Sequence, residues 1–126
     1  MRIDIEFTAN PIVEPALIPY EEAGALVEFR GLVRATEKER KISALIYEIY
    51  ETMAHRLIRE ILEELNSEHP ILTAVVIHRY GVVPTGEASI YVRIQSKHRG
   101  EAFYVLEHFM NEFKDDVPIW KTGSLS

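Results

Sequence analysis

Two stretches of helical hydrophobic periodicity, separated by strand-like segments, constrain the fold of this chain more than any other feature. Apolar residues recur every three or four positions from Ala54 to Leu65, and a similar stripe runs from Phe103 to Phe113. Alternating and β-branched segments lie before the first stripe and between the two. Runs of strands with helices between the runs are typical of an α+β fold. The sequence therefore predicts two main helices packed on a mostly antiparallel sheet.

Five segments carry strand patterns. Charged and apolar residues alternate from Arg2 to Phe7, which indicates a half-buried strand. Further strands are predicted at residues 24–34, 42–50, 72–81 and 88–96. We expect the second and third strands to pair across a mobile charged loop, and the last two to be joined by a plain linker. Three prolines within nine residues after the first strand limit any helix there to a turn or two.

The boundaries of the two helices are also predicted by local signals. Thr52 is a suitable N-cap for the first helix, which must end before Pro70. The second helix is expected from about Gly100 to Lys114. Pro118 disfavours helical geometry at the residue before it, so the chain must turn there.

Composition excludes several classes of protein. With 126 residues, 47% of them hydrophobic, residues 1–126 are expected to form a single domain. The net charge of −6 argues against a nucleic-acid partner, because such proteins present a basic face to the phosphates. The absence of cysteine excludes disulfides, thiolate metal sites and a cysteine nucleophile. Since the chain has neither a long apolar run nor a signal-peptide core, we expect a cytoplasmic protein that does not enter a membrane.

Cationic side chains at strand ends are candidates for binding an anion. Arg34 ends the second predicted strand, just after Gly31, which permits a bulge or a close backbone approach. His98 and Arg99 lie between a strand and the last helix, where free N–H groups and the helix dipole favour anions. A solvated basic turn explains the same residues equally well.

Two lysines flank the predicted turn near the end of the chain. The turn at Pro118 allows Lys114 and Lys121 to approach one pocket, with Trp120 beside them. Clustered cations lower each other's pKa, so one lysine of a pair becomes a competent base near neutral pH while the other stabilises charge. The simpler interpretation is that Trp120 pins the tail and both lysines are surface charges. No histidine pair has metal-ligand spacing, so we predict no metal and no cofactor.

Several motifs, taken in order, resemble one known family. The segments GALVEFRGLVR, ALIYEIYETMA, VVIHRYGVVPTGEASIYV and SKHRGEAFYVLEHFMNEFKDDVPIWK are similar to the large, catalytic subunit of molybdopterin synthase, over roughly residues 20–121. This resemblance implies an α/β hammerhead-type two-layer fold and a homodimer of large subunits within a heterotetramer. A small ubiquitin-like subunit with a C-terminal thiocarboxylate would supply sulfur to cyclic pyranopterin monophosphate, giving the dithiolene of molybdopterin.

The resemblance also implies roles for individual residues. Lys114 and Lys121 match the catalytic lysines of the family, the first placed nearest the thiocarboxylate and the second at acid/base work or phosphate contact. Arg34, His98 and Arg99 match the family residues that bind the anionic substrate.

Two other functions use the same residues. A non-catalytic dimeric module would bind an anionic metabolite or a ubiquitin-like tail without turnover. A purely structural homodimer would use the VPIWK segment only to pack on its partner.

Overall fold

The larger part of the structure is a four-stranded sheet with two helices on one face. The computed structural model describes residues 1–126. Its elements, in chain order, are β1 Arg2–Thr8, β2 Ala25–Leu32, β3 Thr36–Glu37, β4 Arg40–Lys41, β5 Ala44–Ile49, α1 Glu51–Glu68, β6 Thr73–Arg79, β7 Gly81–Pro84, β8 Ala88–Ser96, α2 Arg99–Asp116 and β9 Ile119–Leu125.

The strand order of the large sheet is β1-β6-β8-β2. Strands β1 and β6 are parallel, whereas β8 is antiparallel to both of its neighbours. The predicted α+β class with two helices and a largely antiparallel sheet is confirmed. Because β2 has a neighbour on one side only, its other edge is unpaired. A register shift at Gly31 and Leu32 confirms the irregularity predicted there.

The main core lies between this sheet and the two helices. Both helical patterns are confirmed, because α1 buries Ala54, Ile58 and Leu62 while α2 buries Val105 and Phe109. These side chains pack on the inner face of β6 and β8. The apolar surface removed from water here is the principal source of stability.

Two details of the predicted helices are wrong. Thr52 lies inside α1, whose N-cap is Tyr50 and has no side-chain capping hydrogen bond. Phe103, predicted to be in the buried stripe of α2, is 58% exposed. Ala102 is the buried residue at that end of the helix. The stripe therefore turns away from Phe103 because the contact with the sheet is made by the neighbouring side chain.

The predicted pairing of the second and third strands is also wrong. Strand β2 pairs with β8, whereas β5 pairs with β7 and β9 in a separate three-stranded sheet. The link between them is the short β3–β4 hairpin rather than an unstructured loop. Lys38 and Glu39 make its turn with φ of 49° and 65°. This left-handed turn reverses the chain within the link.

The C-terminal segment is anchored as strand β9. Val117 is extended, with φ −84° and ψ 130°, so the predicted turn before Pro118 is confirmed. The N–H of Tyr50 donates to the Pro118 carbonyl at 3.1 Å, and the N–H of Ser43 donates to that of Leu125 at 2.7 Å. These bonds and the pairing with β5 hold the end of the chain on the second sheet.

The proline-rich segment at residues 9–20 forms no helix and crosses the outer face of the large sheet. Arg93, buried on β8, donates a 2.8 Å hydrogen bond to the Pro15 carbonyl and a 2.9 Å bond to the Tyr91 hydroxyl. The Tyr91 hydroxyl also bonds to Glu28, and burial is the main reason why the pKa of Tyr91 is raised. Neither α1 nor α2 is both long and apolar enough to cross a membrane.

Candidate functional site

Lys121 lies on β9 beside the β3–β4 hairpin. Its ammonium nitrogen is 3.7 Å from Oε2 of Glu37, and the backbone is in register with Tyr47 on β5. The hairpin and β9 enclose a cleft of about 520 Å³ that also includes Lys38 and Arg40. Three cationic side chains and one carboxylate therefore line this cleft, which favours an anionic ligand.

Lys114 lies in the last turn of α2, on the other side of the turn that leads to β9. Its side chain is exposed, while the preceding residue, Phe113, is buried in the main core. Helical rise to Val117 and extended rise beyond it limit the Cα separation of Lys114 and Lys121 to about 18 Å. Both lysines are thus at the same end of the molecule, and both side chains are free to move toward a common ligand.

Arg34 belongs to the same end of the molecule. It follows Val33, which is buried in a small apolar cluster with Leu45, Tyr47 and Val83. Arg34 is exposed and lies three residues before Glu37, the residue that contacts Lys121. The second sheet therefore fixes the backbone of Arg34 close to the cleft of the second lysine.

His98 and Arg99 form a separate group at the start of α2. Together with Gly24 they line a depression of about 470 Å³. Gly24 is required here, because a Cβ at this position would lie 2.3 Å from the Lys97 carbonyl oxygen. The His98 ring is largely exposed, with Nδ1 4.0 Å from a carboxylate oxygen of Glu101. This depression combines a cationic rim with a helix N-terminus, the arrangement that binds anions.

The length of α2 separates the two groups within one chain. From Arg99 to Lys114 the helix rises about 22 Å, at 1.5 Å per residue. One copy of the chain therefore brings Arg34, Lys114 and Lys121 to one end of the molecule, while His98 and Arg99 lie at the other end of α2. The assignment of all five to one pocket stays a prediction.

A buried histidine connects the elements that carry the lysines. His78, at the end of β6, is 3% exposed. Its ring lies 5.8 Å from that of Phe113, nearly parallel, and 5.3 Å from that of Tyr47, edge-on. Nδ1 is 2.8 Å from the Arg79 carbonyl, so this nitrogen carries the proton. Burial lowers the pKa of His78 to about 4, and the ring is neutral at pH 7.

The sequence pointed to five cations but missed the residues that surround them. Glu37, Lys38 and Arg40 fall in the charged link that was expected to be mobile, and alternating charge gave no indication of a hairpin. His78 carries a weak signal, since it lies at the end of a strand of otherwise apolar residues. In this structure no group of three or more His, Cys, Asp or Glu residues could hold a metal ion.

The arrangement of cations agrees with the result of comparison with known families. The family model described as "MoaE protein" matches residues 4–116. The chain belongs to the MoaE family. The resemblance indicated by the sequence motifs is therefore confirmed.

Relatives with known names support the same membership. The "Molybdopterin synthase catalytic subunit" of Thermoplasma volcanium is 38% identical over 116 residues, covering 92% of this chain and 85% of that protein. The subunit of the same name from Oryza sativa subsp. indica is 39% identical over 99 residues, or 79% of this chain. This chain spans only 51% of the length of that longer rice protein.

Solved structures of MoaE-type proteins have the same fold. Molybdopterin synthase from Staphylococcus aureus superposes with a TM-score of 0.83 and 29% identity, covering 94% of this chain and 93% of that one. A chain from the complex of subunits 1 and 2 of molybdopterin-converting factor of Helicobacter pylori has a TM-score of 0.71 and 21% identity. That match covers 98% of this chain and 88% of the other, and it shows a common fold.

Proposed function

We propose that this chain is the catalytic subunit of a molybdopterin synthase, which transfers sulfur to cyclic pyranopterin monophosphate. The observation that carries the proposal is the cleft of Lys121, which places cations next to the end of α2 that bears Lys114. Membership of the MoaE family supports the assignment. The chain has no cysteine, so its sulfur must come from a second protein.

The sulfur donor is a small ubiquitin-like subunit that ends in a thiocarboxylate. Each transfer forms a carbon–sulfur bond on the substrate and breaks the carbon–sulfur bond of the thiocarboxylate. Water supplies the oxygen that leaves a carboxylate on the small subunit, and two transfers complete the dithiolene. The fold of this chain also occurs in the Helicobacter pylori complex of two molybdopterin-converting factor subunits, which supports a two-protein assembly.

The two lysines have different surroundings, which suits different roles. Lys114, exposed at the end of α2, is positioned for proton transfer and for holding the thiocarboxylate carbonyl. Lys121 lies in the cationic cleft and contacts the substrate phosphate or assists proton transfer there. Arg34 adds a third positive charge on the same side of the molecule.

A second copy of the chain completes the site. The unpaired edge strand β2 carries the exposed apolar residues Leu26, Phe29 and Leu32, and such an edge favours pairing with another strand. When two β2 strands pair antiparallel about a twofold axis, the beginning of one meets the end of the other. His98 and Arg99 of the partner subunit then approach Arg34, which resolves their separation within one chain.

The predicted assembly is therefore a homodimer of this chain with a small subunit at each end. A cytoplasmic location stays a prediction of the sequence. No residue of the chain is needed to bind a metal or an organic cofactor in this proposal.

Single-turnover sulfur transfer tests the proposed function directly. Thiocarboxylated small subunit and cyclic pyranopterin monophosphate are mixed with the wild type, Lys114→Ala or Lys41→Ala, and product is measured over time. We expect product from the wild type and at least a hundredfold slower transfer by Lys114→Ala, about the effect of losing an acid/base group. Lys41→Ala, at an exposed position on β4, should retain the wild-type rate.

The alternative is a dimeric binding module without turnover. Tight binding of the small subunit by a wild-type protein that forms no product would favour this module. Full activity of Lys114→Ala would remove that lysine from the mechanism while leaving the enzyme assignment in place.

A further inference from the structure

The His78 ring occupies the junction of three elements. It projects from the end of β6 in the large sheet and contacts Tyr47 on β5 of the second sheet and Phe113 on α2. Phe113 belongs to the main core, whereas Tyr47 belongs to the small apolar cluster beneath Arg34. His78 is therefore the contact through which the two parts of the structure meet at this end of the molecule.

Both of its ring contacts lead directly to a candidate catalytic lysine. Phe113 is the residue immediately before Lys114 in the last turn of α2. Tyr47 is the register partner of Lys121 in the pairing of β5 with β9. The position of one ring thus affects the seating of both lysine-bearing backbones.

The orientation of the ring is fixed by a hydrogen bond. Nδ1–H donates to the Arg79 carbonyl at 2.8 Å, and the nearly parallel Phe113 ring and edge-on Tyr47 ring restrict rotation. The neutral imidazole adds no charge beside the two lysines. A buried polar group held in this way is well suited to specify one arrangement of its neighbours.

We infer that His78 is a positioning residue that sets the separation of the Lys114 and Lys121 side chains. It touches neither substrate nor sulfur donor and acts through Phe113 and Tyr47. The kinetic consequence rests on the proposed function, because the two lysines must act on the same reacting group. A displacement of about 1 Å at such a site slows catalysis by roughly a hundredfold.

Kinetic comparison of four proteins tests the catalytic consequence. His78→Ala removes the ring, His78→Phe retains an aromatic ring, and Leu62→Ala creates a comparable cavity in the core at a residue of α1 that is fully buried. We expect His78→Ala to lower kcat about a hundredfold with KM for the small subunit unchanged, and His78→Phe to recover at least tenfold of that loss. Leu62→Ala should retain a kcat within about threefold of the wild type when measured below its unfolding temperature.

A distance measurement tests the positioning role without any activity. Since the chain lacks cysteine, the double variant Lys114→Cys/Lys121→Cys accepts spin labels at these two positions alone. Electron paramagnetic resonance should give one narrow distance distribution, which becomes broader or shifts when His78→Ala is added but not when Leu62→Ala is added.

The two measurements separate failure of this inference from failure of the proposed function. An unchanged distance distribution in the His78→Ala background overturns the inference whatever the enzyme does. Equal losses of kcat in His78→Ala and Leu62→Ala also overturn it, because they indicate a general effect of lost stability. A changed distribution in a protein without sulfur transfer upholds the positioning role and rejects the enzyme assignment.

Discussion

The ammonium group of Lys121 lies 3.7 Å from the carboxylate of Glu37, on the hairpin that follows Arg34. This carboxylate occupies the same ammonium that an anionic substrate would contact. The two side chains are 51% and 26% exposed, so water screens the pair and its contribution is at most about 1 kcal/mol. Glu37 therefore competes with the substrate only weakly.

Removing this competition should tighten substrate binding. We expect Glu37→Gln to lower the Kd of cyclic pyranopterin monophosphate by up to about fivefold, the factor that corresponds to about 1 kcal/mol. Isothermal titration calorimetry measures this change. Glu39→Gln, in the turn of the same hairpin, removes an equal charge without contacting Lys121 and should have a smaller effect. Weaker binding by Glu37→Gln would mean that the carboxylate orients Lys121 for the substrate.

Acid should destabilise the protein through His78. The pKa of this ring is about 4 in the folded protein and 6.5 in the unfolded chain, so the unfolded state binds more protons between these values. The corresponding stability is complete above pH 6.5 and is lost as the pH falls toward 4. The difference amounts to about 3 kcal/mol when the loss is complete. Tyr47 and Phe113 face the ring and provide no carboxylate to stabilise its charged form.

Urea unfolding at pH 7 and pH 4.5 measures this effect. Between these values the wild type should lose about 2 kcal/mol more stability than His78→Phe, which cannot titrate at this position. His55→Gln, an exposed position on α1, should behave as the wild type. Equal losses in the wild type and His78→Phe would show that other groups account for the acid sensitivity.

A composite site predicts complementation between two inactive variants. Lys114→Ala and His98→Ala damage different halves of the proposed site. In a mixed dimer one site carries both defects, while the other has a wild-type lysine and a wild-type histidine. Unfolding the two variants together and refolding them should restore about a quarter of the wild-type activity, since about half of the dimers are mixed. Activity no higher than that of the separate variants would place the five cations within single chains.

Charge on the open edge of β2 should prevent the two copies from pairing. Leu32 is 56% exposed in one copy, so Leu32→Glu should change the stability of the isolated fold little while placing two like charges at the dimer interface. We expect sedimentation analysis to give a dimer for the wild type and a monomer for Leu32→Glu. Val82→Glu adds the same charge to an exposed position on β7 and should remain dimeric. A dimeric Leu32→Glu would exclude β2 as the interface.

Local patterns were sufficient for the helices and for most strands. The spacing of Ala54, Ile58 and Leu62 places α1, because helical periodicity is a property of neighbouring residues. Pro118 likewise specifies the end of α2 through its own ring. The motifs around the five cations indicated the family for the same reason, since each motif is a short, contiguous stretch.

The pairing of distant strands was decided only by the tertiary structure. Ala44 pairs with Leu125 at the opposite end of the chain, and nothing in either segment specifies that partner. The same closure places the charged hairpin over Lys121 and buries the His78 ring between Tyr47 and Phe113.

The sequence by itself thus determined which residues form helices and strands, and which cations are candidates for the site. The tertiary structure decided which of those cations meet. Periodicity is encoded over a few residues, whereas the choice of strand partners depends on the free energy of closing long loops and burying a common core. For this reason Lys114 and Lys121 are brought to one end of the molecule, while α2 holds His98 and Arg99 at the other.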